Sequence, residues 1–442
     1  MTNAAQIASD SSLESTRATL AQHPTASTAR AGAAIPGQKL SAALLLVLAA
    51  LAALGLLATN IMLPSLRSIA GTFGVSTAEM GVALSAFLLV FAVGQLLVGP
   101  LSDAWGRRGL VLGGLVLFVA GSLLCALATD LPVLIAGRIV QALGVCAAYA
   151  LARAIALDLF AGDALARMLA LMMVAMAAAP GFSPLLGGAL DHQFGWRSTF
   201  LAVAGLGAVV LVIYLALVGE THHSSRRVAF APISIARRYR QLALDQRFLL
   251  PALAVMLLMG GLFAIFAASP TILMDGLGLS ANQLGLFFAV TVLFVFAGGL
   301  LAPRLAARSG PGRIAIAGLV IAFIGGALLF ALAAVGIRTF LAFAIPVAVF
   351  LFGFGLANPL AIAITLSPFR DMAGLASALL GFLQMAGAAL GAALVTSLAM
   401  APVAALGSML ASFLGVAIIL LVGRREASQR PASLLESGRP IR

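Results

Sequence analysis

The chain has 442 residues, of which 62% are hydrophobic and only 9% are charged. Soluble domains carry about 25% charged residues, so this composition excludes a water-soluble fold and leaves no room for a sizeable soluble domain. The net charge of +12 comes from arginines grouped between apolar runs without interleaved aromatic residues, which is typical of a membrane surface and excludes a nucleic-acid partner.

The chain begins with residues 1–39, which are rich in Ser, Thr and Ala and show no apolar periodicity. We expect them to form a disordered cytoplasmic tail. From Leu40 onward, apolar runs of about 20 residues, the length that spans a bilayer, follow one another. The predicted spans are 41–63, 80–100, 109–128, 132–152, 166–188, 199–218, 249–273, 284–303, 313–334, 339–361, 372–395 and 400–422.

These spans form one group of six within 40–218 and another within 249–423. A polar central loop at 219–248 separates the groups, and a cytoplasmic tail follows at 424–442. The predicted fold class is an all-α membrane protein with twelve transmembrane helices in two six-helix bundles.

The basic residues predict the orientation in the membrane. If the N-terminus is cytoplasmic, only Arg67, Arg197 and Arg338 of the 26 Lys and Arg residues lie in outside loops, and Arg138 and Arg153 fall within the fourth span. All the others lie on the inside. Because cytoplasmic loops carry the excess of basic residues, this pattern predicts a multi-pass protein with both termini and the central loop in the cytoplasm.

The two halves also resemble each other in sequence. Gly74-Val75-Ser76 has a counterpart in Gly278-Leu279-Ser280. Further glycines pair at the same spacing: Gly81 with Gly285, Gly94 with Gly298, Gly106 with Gly310, and Gly114 with Gly318. We therefore predict that the second span, the loop after it and the start of the third span are repeated in the second half.

The loop after the second span reads Gly99-Pro100-Leu101-Ser102-Asp103-Ala104-Trp105-Gly106-Arg107-Arg108. It resembles the cytoplasmic signature loop of the major facilitator superfamily, which implies the fold of that family and a latch on the cytoplasmic side. In this picture Gly99 lets the facing helix approach closely, Gly106 makes a tight turn, and Asp103 lies at the N-terminus of the eleventh span. Arg107 and Arg108 would add charge pairs. Ala104 stands where the family usually has a basic residue.

The fourth span begins with Arg138-Ile139-Val140-Gln141-Ala142-Leu143-Gly144, which resembles the Arg-containing motif of the family's fourth helix. A charge within the membrane costs at least about 2.5–3.5 kcal/mol, so Arg138 is expected to face a cavity or a partner. The alternative is an arginine that reaches the outer interface along its stem. Gln141, one turn further on, shares its helix face.

The fifth span contains Pro180, Gly181, Pro184, Gly187 and Gly188 and is similar to the fifth-helix motif of drug antiporters. We expect its prolines to bend the helix and its glycines to permit close packing between the halves.

Residues 59–200 as a whole look most like the bicyclomycin- and chloramphenicol-resistance subfamily of drug exporters, from Thr59-Asn60-Ile61-Met62-Leu63-Pro64 to Gly195-Trp196-Arg197. The resemblance implies export of small lipophilic or cationic compounds from the cytoplasm across the inner membrane by a monomer, with protons as the coupling ion. The subfamily usually carries an Asp where this chain has Asn60, and no Asp or Glu lies well inside any predicted span.

Candidate residues for the substrate cavity or the coupling are Asn60, Met62, Phe87, Gln95, Arg138 and Gln141. For the apolar ones, ordinary helix packing is an equal alternative.

Two other functions are alternatives to the export of drugs. The same fold could export or facilitate a small, possibly anionic metabolite attracted by Arg138. A membrane-embedded enzyme would need His, Asp or Glu constellations within the spans, and the sequence has none. We therefore expect no catalytic residues, no metal site and no cofactor, with a small molecule and the lipid bilayer as the partners.

Overall fold

A computed structural model describes residues 42–160, 162–222, 231–369 and 372–429. The predicted tail 1–39 and the part of the predicted tail 424–442 beyond residue 429 lie outside the described residues. Within the described ranges the chain is helical and contains no strand, with short turns between the helices.

Six long helices precede the central loop. The first, α1 (Ala42–Phe73), is an α-helix over Ala42–Asn60 that continues through a 3-10 turn at Leu63–Ser65 into a second helical segment, Leu66–Phe73. The others are α2 (Thr77–Trp105), α3 (Arg107–Ala126), α4 (Leu131–Leu159), α5 (Gly162–Phe194) and α6 (Arg197–Leu217).

The second half begins with a short helix that the sequence analysis missed, Pro232–Leu244, here called the linker helix. It is polar on most of its surface, so it lacks the long apolar run by which the other helices were recognised. The long helices that follow are α7 (Gln246–Gly276, whose last turn from Pro270 is π-helical), α8 (Ala281–Ser309), α9 (Pro311–Ala334), α10 (Phe340–Leu366), α11 (Ala373–Ser397) and α12 (Pro402–Gln429).

Eleven of the long helices in the described ranges are apolar and long enough to cross a membrane. The remaining one, α5, has 33 residues and therefore a length of roughly 50 Å at 1.5 Å per residue. Each predicted span corresponds to one of these helices, and most of the helices extend several residues beyond the predicted limits. The predicted all-α membrane fold is confirmed, and the twelve long helices, eleven of them candidate spans, come close to the predicted twelve transmembrane helices.

The same local structure starts the matched helices of the two halves. Gly74 and Gly278 both adopt positive φ, 68° and 74°, directly before α2 and α8. Each helix then begins with a capping box, in which Ser76 pairs with Glu79 and Ser280 with Gln283. At the other end, Gly106 and Gly310 also have positive φ, which favours glycine at the turn into the next helix. The repeat predicted from the glycine spacing is therefore present in the backbone.

Glycines allow α3 and α4 to approach until their backbones touch. Gly114 and Gly121, two turns apart on α3, face Gly144 and Gly137 on α4, and a Cβ added at Gly114 would lie 2.5 Å from the Gly144 carbonyl oxygen. The second half repeats this arrangement, with Gly318 and Gly325 on α9 against Gly353 and the Pro346 carbonyl on α10. Small residues are used in this way where lipid offers no hydrophobic drive for helix association.

The helices of each half pack mainly against one another. In the first half α3 packs on α4 and α6, and α1 packs on α4 and α5; in the second half α9 packs on α10 and α12, and α7 packs on α11 and α12. Two large contacts join the halves, α2 on α11 and α5 on α8. The arrangement is thus two bundles that meet along two pairs of equivalent helices.

The glycine contact between α3 and α4 makes the first test. In Gly144→Ala the added methyl group would overlap the Phe118 backbone nitrogen and the Gly114 carbonyl oxygen, so the helices must separate. We expect a loss of roughly 1–3 kcal/mol of stability, as for other overpacked cores. Thermal melting of the purified protein in detergent measures it.

The matched control is Gly113→Ala on α3, where no atom lies within 4 Å of the added Cβ. This variant should melt at or slightly above the parent temperature, since alanine favours a helix. Equal melting of the two variants would contradict the close approach of α3 and α4.

Candidate functional site

Arg138 lies about two turns after the beginning of α4. Asp130 caps this end of α4 by accepting a hydrogen bond from the backbone N–H of Val133 at 2.9 Å. From this position the Arg138 side chain enters the first bundle, where it is completely buried. The alternative in which Arg138 reaches the interface along its stem does not describe this structure.

The Arg138 guanidinium contacts two other helices of the first bundle directly and a third through Gln141. Its Nη1 donates to the Ala58 carbonyl oxygen of α1 at 2.9 Å and to Gln141 Oε1 on its own helix at 2.6 Å. The Phe87 ring of α2 lies 4.0 Å from the guanidinium carbon, a cation–π contact. Gln141 Nε2 donates in turn to Ser122 Oγ of α3 at 2.8 Å. The network thus ties α1, α2, α3 and α4 together around one positive charge.

Part of the hydrogen-bonding capacity of this network is unused. Arg138 Nε and Nη2 are buried and have no partner among the described residues, and none of the described acidic side chains forms an ion pair with Arg138. A buried donor without a partner costs about 1–3 kcal/mol. A ligand group that accepts hydrogen bonds would therefore be stabilised beside Arg138.

Asn60 adds an unused acceptor on the neighbouring helix. It is the last residue of the first segment of α1, and its Nδ2 donates to the Leu56 carbonyl oxygen at 2.7 Å. Its Oδ1 is buried and has no partner among the described residues. Asn60 lies two residues beyond Ala58, the residue whose carbonyl accepts from Arg138.

The structure places the six predicted cavity residues in two groups. Phe87, Arg138 and Gln141 touch one another directly or through the network, and Asn60 and Met62 lie on the α1 segment that borders it. Gln95 is separate: it contacts the second bundle, where its Nε2 lies 3.4 Å from the Gly381 carbonyl oxygen of α11. All six are buried, so they form closed packing in this conformation. Ser122 was missed in the sequence; its signal is a hydroxyl within the apolar run of α3.

The second bundle has no polar counterpart to this network at the equivalent contact. Gly121 of α3 lies against Gly137 and Gln141 of α4, whereas its counterpart Gly325 lies against Pro346 and Phe350 of α10. Phe350 therefore stands where the first bundle has Gln141. At this pair of equivalent contacts, the charge and its hydrogen bonds are present in the first half alone.

The loop between α2 and α3 is fixed to two neighbouring helix ends. Arg107 pairs with Asp158 at the end of α4 and also donates to the Ala154 carbonyl oxygen at 2.5 Å. The Glu220 carboxylate, just after α6, accepts from the backbone N–H groups of Arg107 and Arg108 at 3.0 and 3.3 Å and so caps the start of α3. Arg107 thus forms a charge pair within the first bundle, and the glycine turn at Gly106 is present with φ 96°.

Two other residues of this loop behave differently from the prediction. The close helix contact expected at Gly99 is wrong in this conformation, because no atom lies within 4 Å of the position of its Cβ. Asp103 is exposed, and its charge acts on Tyr239 of the linker helix. Burial and the Asp103 carboxylate together raise the pKa of Tyr239 to about 12. The placement of Asp103 beside the start of α11 stays a prediction, since residues 370 and 371 lie outside the described ranges.

At the opposite end of the molecule and midway along α5 and α8, the two bundles are joined by side chains and by glycine contacts. Arg67 of α1 and Asp275 of α7 form an ion pair at 3.4 Å. A Cβ at Gly181 would lie 2.5 Å from Val292 of α8, and one at Gly188 would lie 2.7 Å from the Ala281 carbonyl oxygen. The predicted close packing between the halves is thus present at Gly181 and Gly188, while Gly187 packs on Ile61 of α1 within the first bundle.

Comparison with known sequences places this geometry in context. Residues 45–392 match the Major Facilitator Superfamily. The chain is 30% identical over 380 residues to Multidrug resistance protein D of Escherichia coli (strain K12), an alignment that covers 85% of this chain and 94% of that protein. It is 31% identical to the uncharacterized MFS-type transporter YdgK of Bacillus subtilis (strain 168), covering 79% and 87%. It is 27% identical to the Bicyclomycin resistance protein homolog of Haemophilus influenzae, covering 82% and 91%.

Solved structures share the fold. The human organic anion transporter MFSD10 is matched with a TM-score of 0.66 and 18% identity, covering 86% of this chain and 99% of that one. A bacterial homolog of the human lysosomal transporter Spinster, in an inward-facing and occupied conformation, is matched with a TM-score of 0.66 and 17% identity, covering 88% and 97%. At this identity the likeness concerns the fold alone.

The Arg107–Asp158 pair gives a second test. Asp158→Asn removes the charge that faces Arg107 and leaves the guanidinium half-buried. Truncating one partner of a fully buried pair costs about 3–5 kcal/mol, and we expect roughly 1–3 kcal/mol here because 13% and 18% of the two side chains remain exposed. Thermal melting in detergent measures the difference.

Asp245→Asn is the control for this test. Asp245 also faces an arginine, Arg247, but that side chain is 72% exposed, and asparagine can still cap the start of α7. This variant should melt like the parent. A larger loss in Asp245→Asn than in Asp158→Asn would show that the loop pair does not stabilise the fold.

Proposed function

Because this chain belongs to the Major Facilitator Superfamily, a family of secondary membrane transporters, we propose that it exports small lipophilic or cationic compounds by alternating access. The observation that carries the proposal is the similarity, over 85% of this chain, to a protein named for multidrug resistance. A relative named for bicyclomycin resistance, similar over 82% of the chain, adds support.

The contacts between the bundles provide the elements that alternating access requires. The Arg67–Asp275 pair and the Gly188 contact close one end, whereas Gly181 contacts Val292 midway along α5 and α8, and Gln95 contacts Gly381 deeper along α2 and α11. In the proposed cycle the two bundles rock about the central contacts, so that each end opens while the other is closed.

We place the protein in the inner membrane as a monomer with both termini in the cytoplasm. The end that carries the α2–α3 loop and the linker helix, here called the basic end, then faces the cytoplasm. Arg107, Arg108, Arg237, Arg238 and Arg240 all lie at this end, as the positive-inside rule demands. The end with Arg67 and Asp275 faces outward.

The side chains of the first bundle are assigned to the substrate and the coupling. Arg138 and Gln141, with Asn60, offer unused donors and an acceptor for polar substrate groups, and Phe87 and Met62 supply apolar surface once the bundles part. Gln95 and the fifth-helix motif, with Pro180 and Pro184, form the moving surface between the bundles. The cytoplasmic gate comprises Gly99, Asp103, Gly106, Arg107 and Arg108.

A second candidate function follows from the charge of Arg138. A buried guanidinium that keeps Nε and Nη2 free repels a cation and attracts an anion. Export or facilitated passage of a small anionic metabolite through the same fold is therefore the alternative.

Protons are the proposed coupling ion. Asn60 cannot carry a proton at the position where the resembled subfamily has an acid, so the coupling must use another group. Several carboxylates lie near helix ends, among them Glu79 and Asp103 in α2, Asp158 in α4 and Asp191 in α5. Carboxylates that exchange protons between the two faces are the usual means of such coupling.

Transport by the purified protein in liposomes with an imposed pH gradient tests both the substrate class and the coupling. We expect uptake of fluorescent cationic dyes and of lipophilic antibiotics that stops when an ionophore removes the gradient. Empty liposomes serve as the control for leakage, and Gly144→Ala, which disturbs helix packing without removing a charge, serves as the control for damaged protein.

The other results separate the alternatives. Dye uptake that is the same with and without the pH gradient would support export and contradict proton coupling. Transport of small carboxylates together with exclusion of every dye would replace drug export by the metabolite function.

Arg138→Lys tests whether the guanidinium network serves transport. Lysine keeps the charge, but its ammonium group is not planar. It therefore cannot donate to the Ala58 carbonyl and to Gln141 while it stacks on the Phe87 ring. We expect transport to fall at least tenfold at matched membrane abundance, and Arg138→Ala to abolish it.

The control is Arg153→Lys on the same helix. Arg153 is exposed, and its Nη2 lies 3.8 Å from the Met176 sulfur, so lysine should replace it without loss. Equal transport by Arg138→Lys and the parent would show that Arg138 has a role in packing only.

A further inference from the structure

Pro100 leaves one backbone carbonyl of α2 without its helical partner. In an α-helix the carbonyl of one residue accepts from the N–H four residues later. Pro100 lies inside α2 and has no N–H, so the Leu96 carbonyl oxygen cannot be satisfied within the helix. At membrane depth such a group needs another donor.

The donor is the hydroxyl of Tyr239 in the linker helix. Tyr239 Oη lies 3.0 Å from the Leu96 carbonyl oxygen and donates to it. With its pKa raised to about 12, the hydroxyl keeps its proton at every physiological pH and remains a donor. Pro100 and Tyr239, distant in sequence, therefore form a matched pair of a missing and a supplied hydrogen bond.

The linker helix is anchored to the second bundle. Leu242, one turn after Tyr239, is 1% exposed and belongs to an apolar cluster with Phe248 of α7, Ala361 of α10 and Leu379 of α11. Leu96 of α2 packs at the edge of this cluster. The hydrogen bond from Tyr239 to Leu96 thus crosses from a helix held by the second bundle to a helix of the first.

A second polar contact crosses the same boundary at the adjacent residue of α2. Gln95 Nε2 lies 3.4 Å from the Gly381 carbonyl oxygen of α11, and any side chain at Gly381 would collide with the Gln95 amide. Beyond these two contacts, towards the end of α2, Gly99 has no neighbour within 4 Å of its Cβ position. Among the described residues, 95 and 96 therefore mark the last hydrogen-bonded contact between α2 and the second bundle before the basic end.

We propose that Tyr239 is a positioning residue of the transport cycle, whose hydroxyl holds the linker helix to the proline-freed carbonyl of α2 and stabilises the closed arrangement of the basic end. Opening of that end requires the bond to break, and it brings water to the Leu96 carbonyl in place of Tyr239. Because water can replace the hydroxyl, the bond favours the closed arrangement only modestly and does not prevent opening. A single hydrogen bond of this kind shifts a two-state equilibrium by roughly two- to tenfold.

The test measures the separation of the bundles directly. Spin labels are attached at Trp105→Cys on α2 and Arg308→Cys on α8, both exposed residues at the basic end, in a chain whose Cys125 and Cys146 are replaced by alanine. Pulsed dipolar spectroscopy in lipid nanodiscs then gives the populations of near and far label distances. This readout needs no substrate, so it stands apart from the proposed drug export.

Tyr239→Phe removes the hydroxyl and keeps the ring. We expect the ratio of far to near populations to rise roughly two- to tenfold. Tyr214→Phe is the matched control: Tyr214 of α6 is completely buried, and its hydroxyl has no partner among the described residues, so its loss should leave the distances unchanged.

Pro100→Ala distinguishes the proposed bond from a general effect of the tyrosine. Alanine restores the N–H that satisfies Leu96 within α2, so the Tyr239 hydroxyl becomes redundant. Tyr239→Phe should then change the populations by less than twofold in the Pro100→Ala background, a coupling that a double-mutant cycle detects. Unchanged distances in Tyr239→Phe alone, or an undiminished effect in the Pro100→Ala background, would overturn the proposal.

Discussion

In a bilayer no water is present to satisfy polar groups, so each of them has to find a partner inside the protein. This constraint makes the chain helical, since a helix satisfies its own backbone. It also accounts for the hydroxyls within the spans: Thr59, Ser122, Thr291 and Thr365 each donate to the carbonyl four residues earlier. The exceptions are informative, because Arg138 and Asn60 keep unsatisfied atoms where a ligand is proposed, and Pro100 creates one that a second helix satisfies.

The fold was predictable from the sequence because the signals for it are local. Apolar runs locate the spans, and the spacing of Gly74, Gly106 and Gly114 from their counterparts shows the repeat, since positive φ and backbone contact both select glycine. The linker helix was missed because a short helix with a mostly polar surface has no such signal. The expected contact at Gly99 was wrong, because whether a glycine meets a neighbour depends on how its helix is rotated in the bundle.

The candidate site was predictable only in part. Arg138 stands out because a charge within a span requires a reason, and Gln141 follows from helix geometry. The Ala58 carbonyl, the Ser122 hydroxyl and the Phe87 ring belong to three other helices, and their meeting depends on the rotation of each helix in the bundle. The same holds for Glu220, which caps a helix that begins far from it in sequence. Sequence spacing within one helix contains no information about these rotations.

The two closures of the molecule are built from chemically different contacts. The bonds at Gln95 and Tyr239 are shielded by packed side chains, whereas the side chains of Arg67 and Asp275 remain 61% and 32% exposed. Mobile ions screen an exposed pair over a Debye length of about 8 Å at physiological ionic strength and over about 3 Å in 1 M salt, but they hardly reach a shielded bond. In the proposed orientation this exposed pair faces the external medium, whose composition therefore acts on one closure alone. Concentrated electrolyte outside the cell would then shift the resting protein away from the conformation that is shut at its outer face, with no change in any residue.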